Sequence, residues 1–460
     1  MRFAIIGTGP AGFYMAKNLL KNVDKCRIDL IDRNPHPFGL IRTGVAPDHQ
    51  AMKKIENDFS QVLADEKTEF FGNVWVGEEE EARARGCYHL SMKQLREKYS
   101  AVILANGAIS DRDLGIPGEH TLSGVLPARR VVDWYNGSLD LDLQREEFDV
   151  SQLEHIGIIG NGNIACDVSR MLLKDVDQFK DSDTPQHVLD ALKRSKIHTI
   201  EMTARRGITQ AAFTTKEIRE ICALEDLDLY MVKQEYTDSM TAASQNEMLD
   251  RKISRRTDLL VQQANMIESP EHYLDVISKK DQKKLILRFL RNPVEFLPSE
   301  SDPTKLGTVK MQRMQLEGES GKQRAVKSDK EDDPVWSDLK CDAFIKSVGY
   351  KSVRIPGLPW DEKKHVIPHS YGCIEDPVSK QLLIGLYCAG WVKRGPVGII
   401  DATLRDSLET FKQLKFHLEA DLLPARTTTV DEVRALFDNQ KKLVTTDGWA
   451  KIKSEEIRRG

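Results

Sequence analysis

The stretch RFAIIGTGPAGFYMAKNLL, residues 2–20, passes from a short apolar run through three glycines into a helix-forming run. Residues 3–6 are apolar without alternation, as in a parallel strand buried on both faces. Gly7, Gly9 and Gly12 spell G-x-G-x-x-G. Gly7 permits the tight turn, Gly9 lets a pyrophosphate approach the backbone, and Gly12 lets helix and strand lie close. A helix over 11–20 points unpaired N–H groups and the positive end of its dipole at bound phosphates. A strand over 27–31 follows, and Asp32 stands at its end, 20 residues after Gly12. A carboxylate there accepts hydrogen bonds from ribose hydroxyls. That chemistry fits FAD and NAD equally.

A second unit of the same kind begins at HIGIIGNGNIACDVSRMLL, residues 155–173. GNGNIA is G-x-G-x-x-A, with Ala165 in place of the third glycine. The next strand, IHTIEMTA at 197–204, ends on TARRGITQAAF, residues 203–213, with no acid. Arg205 and Arg206 stand there instead. A 2′-phosphate is repelled by a carboxylate and held by the forked donors of guanidinium. The pair therefore points to NADP(H) rather than NAD(H), although arginine pairs are also common on plain solvent-exposed strand ends. The approach is long, so the segment at 174–196 must leave the fold intact.

The rest of the chain bounds the reading. At 460 residues it is long enough for two or three domains. A net charge of −4 carries no global basic excess, which argues against nucleic acid as a partner. No apolar run approaches the roughly 18–20 residues of a membrane span. Seven dispersed cysteines include no C-x-x-C pair, which suggests a reducing compartment and weighs against a dithiol relay. They also lack iron–sulfur spacing, so any such cluster belongs to a partner. No metal-ligand set stands out. EEEEARARG at 78–86 reads as mobile, and EGESGKQRAVKSDKEDDP at 317–334 reads as a solvated loop or hairpin. The tail from about residue 430 is amphipathic and helical.

Several stretches occur in one order between residue 5 and about residue 407: IIGTGPAGFY, HPFGLIRTGVAPDH, WYNG, GNGNIACDVSRMLL, ARRG followed by AAFTTKEIRE, SVGYKS and GWVKRGPVGIIDATLRDS. Together they resemble the adrenodoxin reductase-type ferredoxin–NADP⁺ reductases. The resemblance implies an α/β protein of two Rossmann-like nucleotide-binding domains, with the NADP domain, 107–334, inserted into an FAD domain made of 1–106 and 335–460. It places FAD at the first glycine turn, on Ala11, Asp32, Leu40, Val76, Trp391, Gly398, Ile399 and Ile400. It places NADP(H) on Asn161, Gly162, Asn163, Ile164, Arg205, Arg206, Glu217 and Gly398. Asp32 stands where relatives often have Glu, and Asp401 where many have a small or apolar residue.

Hydride transfer from NADPH to a flavin needs positioning groups rather than a nucleophile. Gly395 and Gly398 offer a side-chain-free surface on which the two rings meet. The Trp391 indole N–H is a candidate hydrogen-bond donor there, and equally a core aromatic. His49, Glu217 and Glu220 are the candidates for a catalytic proton relay. His49 as a structural cap, and the two acids as an ordinary helix face, are the plain alternatives. The resemblance names a 2Fe–2S ferredoxin as acceptor. Such ferredoxins are acidic, and DRKISRR at 250–256 supplies Arg251, Lys252, Arg255 and Arg256 on one side of a helix. A solvated basic face reads equally well. The expected protein is a monomeric NADPH:ferredoxin oxidoreductase, in the mitochondrial matrix if eukaryotic, with the presequence absent from this sequence, and otherwise cytoplasmic. The alternatives are an NADPH-dependent flavoprotein dehydrogenase with a different acceptor, and a nucleotide-binding redox sensor without turnover.

Overall fold

A computed structural model of the chain describes residues 1–138, 148–330, 332–398, 400–437 and 442–459. The chain divides into two compact units. The first comprises Met1–Val45, His49–Arg112 and Gly349–Gly460, and the second Ala46–Asp48 with Asp113–Val348.

In the first unit, five strands run parallel in the order Leu382–Cys388, Ala101–Leu104, Arg2–Ile6, Arg27–Ile31, Thr68–Gly72. Antiparallel strands close both edges, Cys373–Glu375 with His369–Ser370 on one side and Val444–Thr445 on the other. The unbroken apolar run of the first strand has a direct cause. Phe3 and Ile5 enter one core, and Ala4 and Ile6 enter another on the opposite face. Helix Pro10–Asn22 opens on a proline, whose missing N–H costs nothing at a helix start. It buries Phe13, Met15, Ala16 and Leu19 in the same core as Phe411 and Leu414 of helix Ile400–Glu419. Each of the larger ones, Phe13, Met15 and Leu19, contributes about 1.5–3 kcal/mol on burial, so packing rather than propensity holds the helix.

The second unit is a seven-stranded parallel sheet, ordered Asn265–Ile267, Leu227–Val232, Lys283–Arg288, Thr199–Thr203, His155–Ile159, Ala343–Lys346, Val125–Pro127. Beside it lies a four-stranded antiparallel sheet in which Leu306–Glu317 pairs with Arg291–Pro298, Arg324–Lys327 and Asp338–Lys340. Ile156, Ile158 and Ile200 share one core with Cys166 and Val168 of helix Asn163–Leu173.

Two expectations differ from the structure. The domain boundaries set at 106/107 and 334/335 fall at 112/113 and 348/349. Ala343–Lys346 pairs in parallel with His155–Ile159, while Tyr350–Lys351 pairs with Ser110–Asp111 of the first unit. A four-residue buried run says nothing about which sheet it joins. The stretch at 78–86 is a helix, Glu79–Arg85, with three acids in its first turn, arginines in its last, and Gly86 left-handed at φ +66° as its cap. The stretch at 317–334 is in part a hairpin, with Arg324–Lys327 paired against the end of Leu306–Glu317. Among the described residues, no helix is long and apolar enough to cross a membrane.

Candidate functional site

The first glycine turn is built from its strand outward. Gly7 sits at φ +100°, and a Cβ on it would stand 2.4 Å from the Ala105 carbonyl oxygen. A Cβ on Gly12 would stand 2.1 Å from the Gly7 oxygen, so the helix packs directly on the turn. Gly9 differs, because nothing lies within 4 Å of the Cβ it lacks. The open face above Gly9 is where a phosphate chain fits. Asp32 shapes the turn: Oδ2 accepts from the Thr8 backbone N–H at 2.7 Å and the Thr8 hydroxyl at 2.6 Å, and Oδ1 accepts from the Asn34 N–H at 2.9 Å. Asn106 Oδ1 is buried without a partner among the described residues.

The second turn repeats this geometry. Gly160 sits at φ +120°, and its Cβ would stand 2.2 Å from the Ser347 oxygen. Nothing lies within 4 Å of the position a Gly162 Cβ would take. The Gly160 N–H donates to Thr203 at 2.9 Å, as the Gly7 N–H donates to Ile31 at 2.7 Å. The residue after Ile31 is Asp32; the residue after Thr203 is the buried Ala204, followed by the exposed Arg205 and Arg206. Among the described residues neither arginine has a side-chain partner. The Asn161 Nδ2 amide is buried and unpaired too, which leaves a donor within the turn. Neither helix after these turns carries an acid in its first turn. Both sites therefore suit an anionic dinucleotide. The long approach is a packed excursion, a 3₁₀ turn at Val176–Phe179 and a helix at Gln186–Leu192, with Phe179, Val188 and Leu192 in the core.

The arginine loop is held at many points. The Ala212 and Phe213 N–H groups donate to the Asn161 carbonyl at 2.9 Å each, folding the loop onto the glycine turn. Arg256, expected on an exposed docking face, turns inward instead. Its guanidinium donates to the Thr209 and Phe213 carbonyls at 2.9 and 3.2 Å and lies over the Phe213 ring. Thr257 and Leu260 form the buried stripe of helix Arg251–Gln263, and Arg256 adjoins it. Arg251, Lys252 and Arg255 remain exposed.

Beneath the two strands lie matching buried charges. Asp29 is two residues before Ile31, and Glu201 two before Thr203. Arg2 forks onto Asp29 at 2.6 and 2.7 Å. Arg288 donates to Glu201 at 3.0 Å and to Glu235 at 2.8–3.1 Å, while Arg291 reaches Glu235 at 2.6 Å. Burial pushes the Glu201 carboxyl up, but His155, Arg288 and Tyr273 outweigh it and bring it down to about 2.

Glu217 and Glu220 sit on helix Thr215–Cys222 and face Arg170, whose Nη1 lies 3.7 and 3.5 Å from them and 2.8 Å from Asp167. The other side of Arg170 forks onto Asp48 at 2.8 and 2.9 Å, and Lys174 joins at 3.0 Å. Against the cost of burial, these two cations hold Asp48 well below the usual carboxylate range. Asp48 and Arg170 lie in the stretches 36–49 and 160–173, where nothing local marks their pairing, because they are remote from each other in sequence. His49 follows Asp48, is buried, and precedes the short helix Gln50–Lys53 without capping it through its side chain.

In the first unit, Leu40 opens the short helix Leu40–Thr43 and Val76 ends the strand Val74–Val76. Trp391 starts the helix Trp391–Arg394, half-buried, its ring 5.9 Å from that of Tyr350. Gly390 before it donates to Asp406 at 2.5 Å, and buried Lys393 pairs with Asp406 and Glu409 at 3.0 and 2.7 Å. Gly395, at φ +82°, has nothing within 4 Å of a would-be Cβ, and Val397 and Gly398 are exposed. A cleft of about 860 Å³ opens here, lined by Arg112, Trp360, His369, Arg394, Gly395 and Val397 among others. Ile399 lies outside the described residues; Ile400 begins the next helix. The charge of Asp401 is met by Arg405 at 2.9 Å on an exposed face. No disulfide joins any of the seven cysteines, and burial pushes the Cys166, Cys341 and Cys388 thiols up, so those three are poor relay groups.

Two glycine-turn units, one rimmed by acid and one by arginine, define a protein built for two dinucleotides. The family model for pyridine nucleotide-disulphide oxidoreductases matches residues 1–284. NADPH:adrenodoxin oxidoreductase of Arabidopsis thaliana is 38% identical over all of this chain and 91% of its own, and the Homo sapiens protein of that name 36% identical over all of this chain and 88% of its own. The structure of Mycobacterium tuberculosis FprA in complex with NADPH superposes with a TM-score of 0.82 at 32% identity, covering 98% of this chain and 92% of that one. The chain belongs to the pyridine nucleotide-disulphide oxidoreductases and, among them, to the adrenodoxin reductase type.

Proposed function

We propose that the chain is an FAD-dependent NADPH oxidoreductase that reduces a ferredoxin-type carrier, with FAD on the first glycine turn and NADPH on the second. The observation that carries the cofactor assignment is the register match between Asp32 and Ala204. One rim ends in a buried acid, the other in two unpartnered guanidinium groups.

Bound FAD supplies the chemistry that side chains lack, accepting a hydride from NADPH and releasing electrons singly. The chain binds and orients. Gly7, Gly9, Ala11 and Gly12 cradle the flavin nucleotide's phosphates, and Asp32 accepts from its ribose. Leu40, Val76, Trp391, Gly398, Ile399 and Ile400 shape the ring site. Asn161, Gly162, Asn163 and Ile164 cradle the NADPH phosphates, Arg205 and Arg206 fork onto the 2′-phosphate, and Glu217 and Gly398 bound the nicotinamide. His49, Glu217 and Glu220 handle protons. Arg251, Lys252 and Arg255 steer an acidic 2Fe–2S ferredoxin. The protein acts as a monomer, in the mitochondrial matrix if its source is eukaryotic; the Arabidopsis and human relatives are named mitochondrial.

The test is NADPH-driven reduction of a 2Fe–2S ferredoxin, followed through cytochrome c. The rate should require FAD, NADPH and ferredoxin together. A chain that reduces ferricyanide but no ferredoxin at any ionic strength overturns the acceptor assignment.

A further inference from the structure

The arginine loop carries its two free cations on a short irregular segment, yet a fork for phosphate works only if its donors are already in place. Helices anchor the glycine turns. Residues 204–207 lie outside any helix or strand; backbone bonds to Arg288, Leu290 and Arg291 hold Ala204 and Arg206, and the side of the loop beyond Arg206 needs a second hold.

Glu247 stands at the centre of that anchorage. It ends helix Ala242–Glu247 and is 8% exposed. Its Oε2 accepts from the Thr209 hydroxyl at 2.9 Å and from Gln210 Nε2 at 2.6 Å. Gln210 in turn accepts from the Gly207 N–H at 3.0 Å through its own Oε1, directly after Arg206. The other oxygen, Oε1, accepts from the Gly321 N–H at 2.9 Å and from Gln323 Nε2 at 3.1 Å. Gly321 and Gln323 belong to the turn of the hairpin formed by Leu306–Glu317 and Arg324–Lys327. Gln323 is fixed in its turn, accepting from the Thr241 hydroxyl at 2.8 Å and donating to the Ser244 hydroxyl at 3.0 Å. From the opposite side, Arg256 grips the Thr209 carbonyl. Burial alone would push the Glu247 carboxyl up, but the Gly321, Gln323, Thr209 and Gln210 donors outweigh it and hold it below the usual glutamate value. The group is therefore an anion with both oxygens saturated. It does not compete with a phosphate for the arginines, as an acid beside them would.

We propose that Glu247 is a positioning residue for 2′-phosphate recognition, tying the Arg205–Arg206 loop through Thr209 and Gln210 to the hairpin turn at Gly321 and Gln323. The inference rests on the reading of those arginines as the phosphate fork. The hairpin turn, polar and far away in sequence, is thereby part of the coenzyme-specificity apparatus.

The test uses FAD-loaded full-length chain and the probes 2′-AMP and 5′-AMP, whose binding is followed by calorimetry, alongside KM and kcat for NADPH and NADH with ferricyanide. Glu247→Ala should weaken 2′-AMP binding and raise KM for NADPH about tenfold, the order expected when charge-assisted contacts are misplaced rather than removed. Binding of 5′-AMP, KM for NADH and kcat should move less than about twofold. Glu247→Gln keeps one acceptor and should fall between, as should Gln323→Ala. These two variants carry the test if Glu247→Ala fails to fold. Equal weakening of both probes, or no change in a folded variant, overturns the inference. Arg205→Ala/Arg206→Ala is the control. If it leaves the 2′-AMP to 5′-AMP ratio unchanged, the phosphate-fork reading falls as well. If it collapses that ratio while the Glu247 variants do not, only the role of Glu247 falls.

Discussion

At the first glycine turn, the position that follows the second strand holds Asp32, buried and bonded to Thr8; at the second turn, the matching position holds Ala204, and the charge is carried by exposed Arg205 and Arg206. An acid can serve as brace and ligand at once, because its two oxygens accept several bonds in different directions. A phosphate-binding arginine cannot be braced by a carboxylate without being neutralised. In the second unit the bracing has accordingly moved off the charged pair onto backbone amides, Arg256 and Glu247. The floor beneath follows the same division. Asp29 holds a single arginine, whereas Glu201 shares Arg288 with Glu235.

That last contrast yields the largest expected effect. Asp29→Ala leaves buried Arg2 without a carboxylate and should cost about 3–5 kcal/mol in urea unfolding, the range for breaking a buried pair. Glu201→Ala leaves Arg288 with Glu235 and should cost about half as much. Equal losses would erase the distinction between the two floors. Next comes Arg205→Ala/Arg206→Ala. Each charge-assisted bond is worth about 1.5–3 kcal/mol, and both arginines are exposed, so KM for NADPH should rise about a hundredfold with KM for NADH nearly unchanged. A parallel rise for both coenzymes would remove the fork. Asp32→Ala should weaken FAD retention about tenfold or more, read from the fluorescence of released flavin, since the loop brace and the ribose acceptor go together.

Smaller effects test the rims and the floor further. Reversing Arg251, Lys252 and Arg255 to Glu should slow ferredoxin-dependent cytochrome c reduction about tenfold at low salt while sparing ferricyanide reduction. Equal loss in both assays would detach that face from docking. Glu201, brought down to about 2 in the fold, contributes stability that is complete above the ordinary glutamate value of about 4.3 and is lost as pH falls from there toward 2. Glu201→Gln should therefore flatten the stability profile in that window, and an unchanged slope would contradict the assignment.

What the chain disclosed on reading follows from the range of the forces involved. The run at 3–6, the turn at Gly7 and Gly12 and the acid that ends the second strand were legible because strand burial and turn geometry act within one βαβ unit. Arg205 and Arg206 were legible by contrast with Asp32. Helix Glu79–Arg85 is masked by its run of charged residues, although its acid-first, arginine-last order and its Gly86 cap are all present. Arg256 was misassigned because helical spacing alone does not locate the buried stripe of Thr257 and Leu260. Asn106, Arg170 and Glu247 carry no local signal. Each acquires its significance from partners or unpaired atoms that only the folded chain defines. The strand at Ala343–Lys346 is the same case at the scale of a domain boundary.

The measurement that bears most directly on the difference between the two turns is anaerobic titration of the FAD-loaded chain with NADPH and, separately, with NADH, followed by flavin absorbance. The flavin bands should bleach with about one equivalent of NADPH and require about a hundredfold more NADH, as expected if the 2′-phosphate contacts are worth about 3 kcal/mol. A chain that takes up no FAD, or that NADH bleaches as readily as NADPH, would contradict the reading of Asp32 and the two arginines alike.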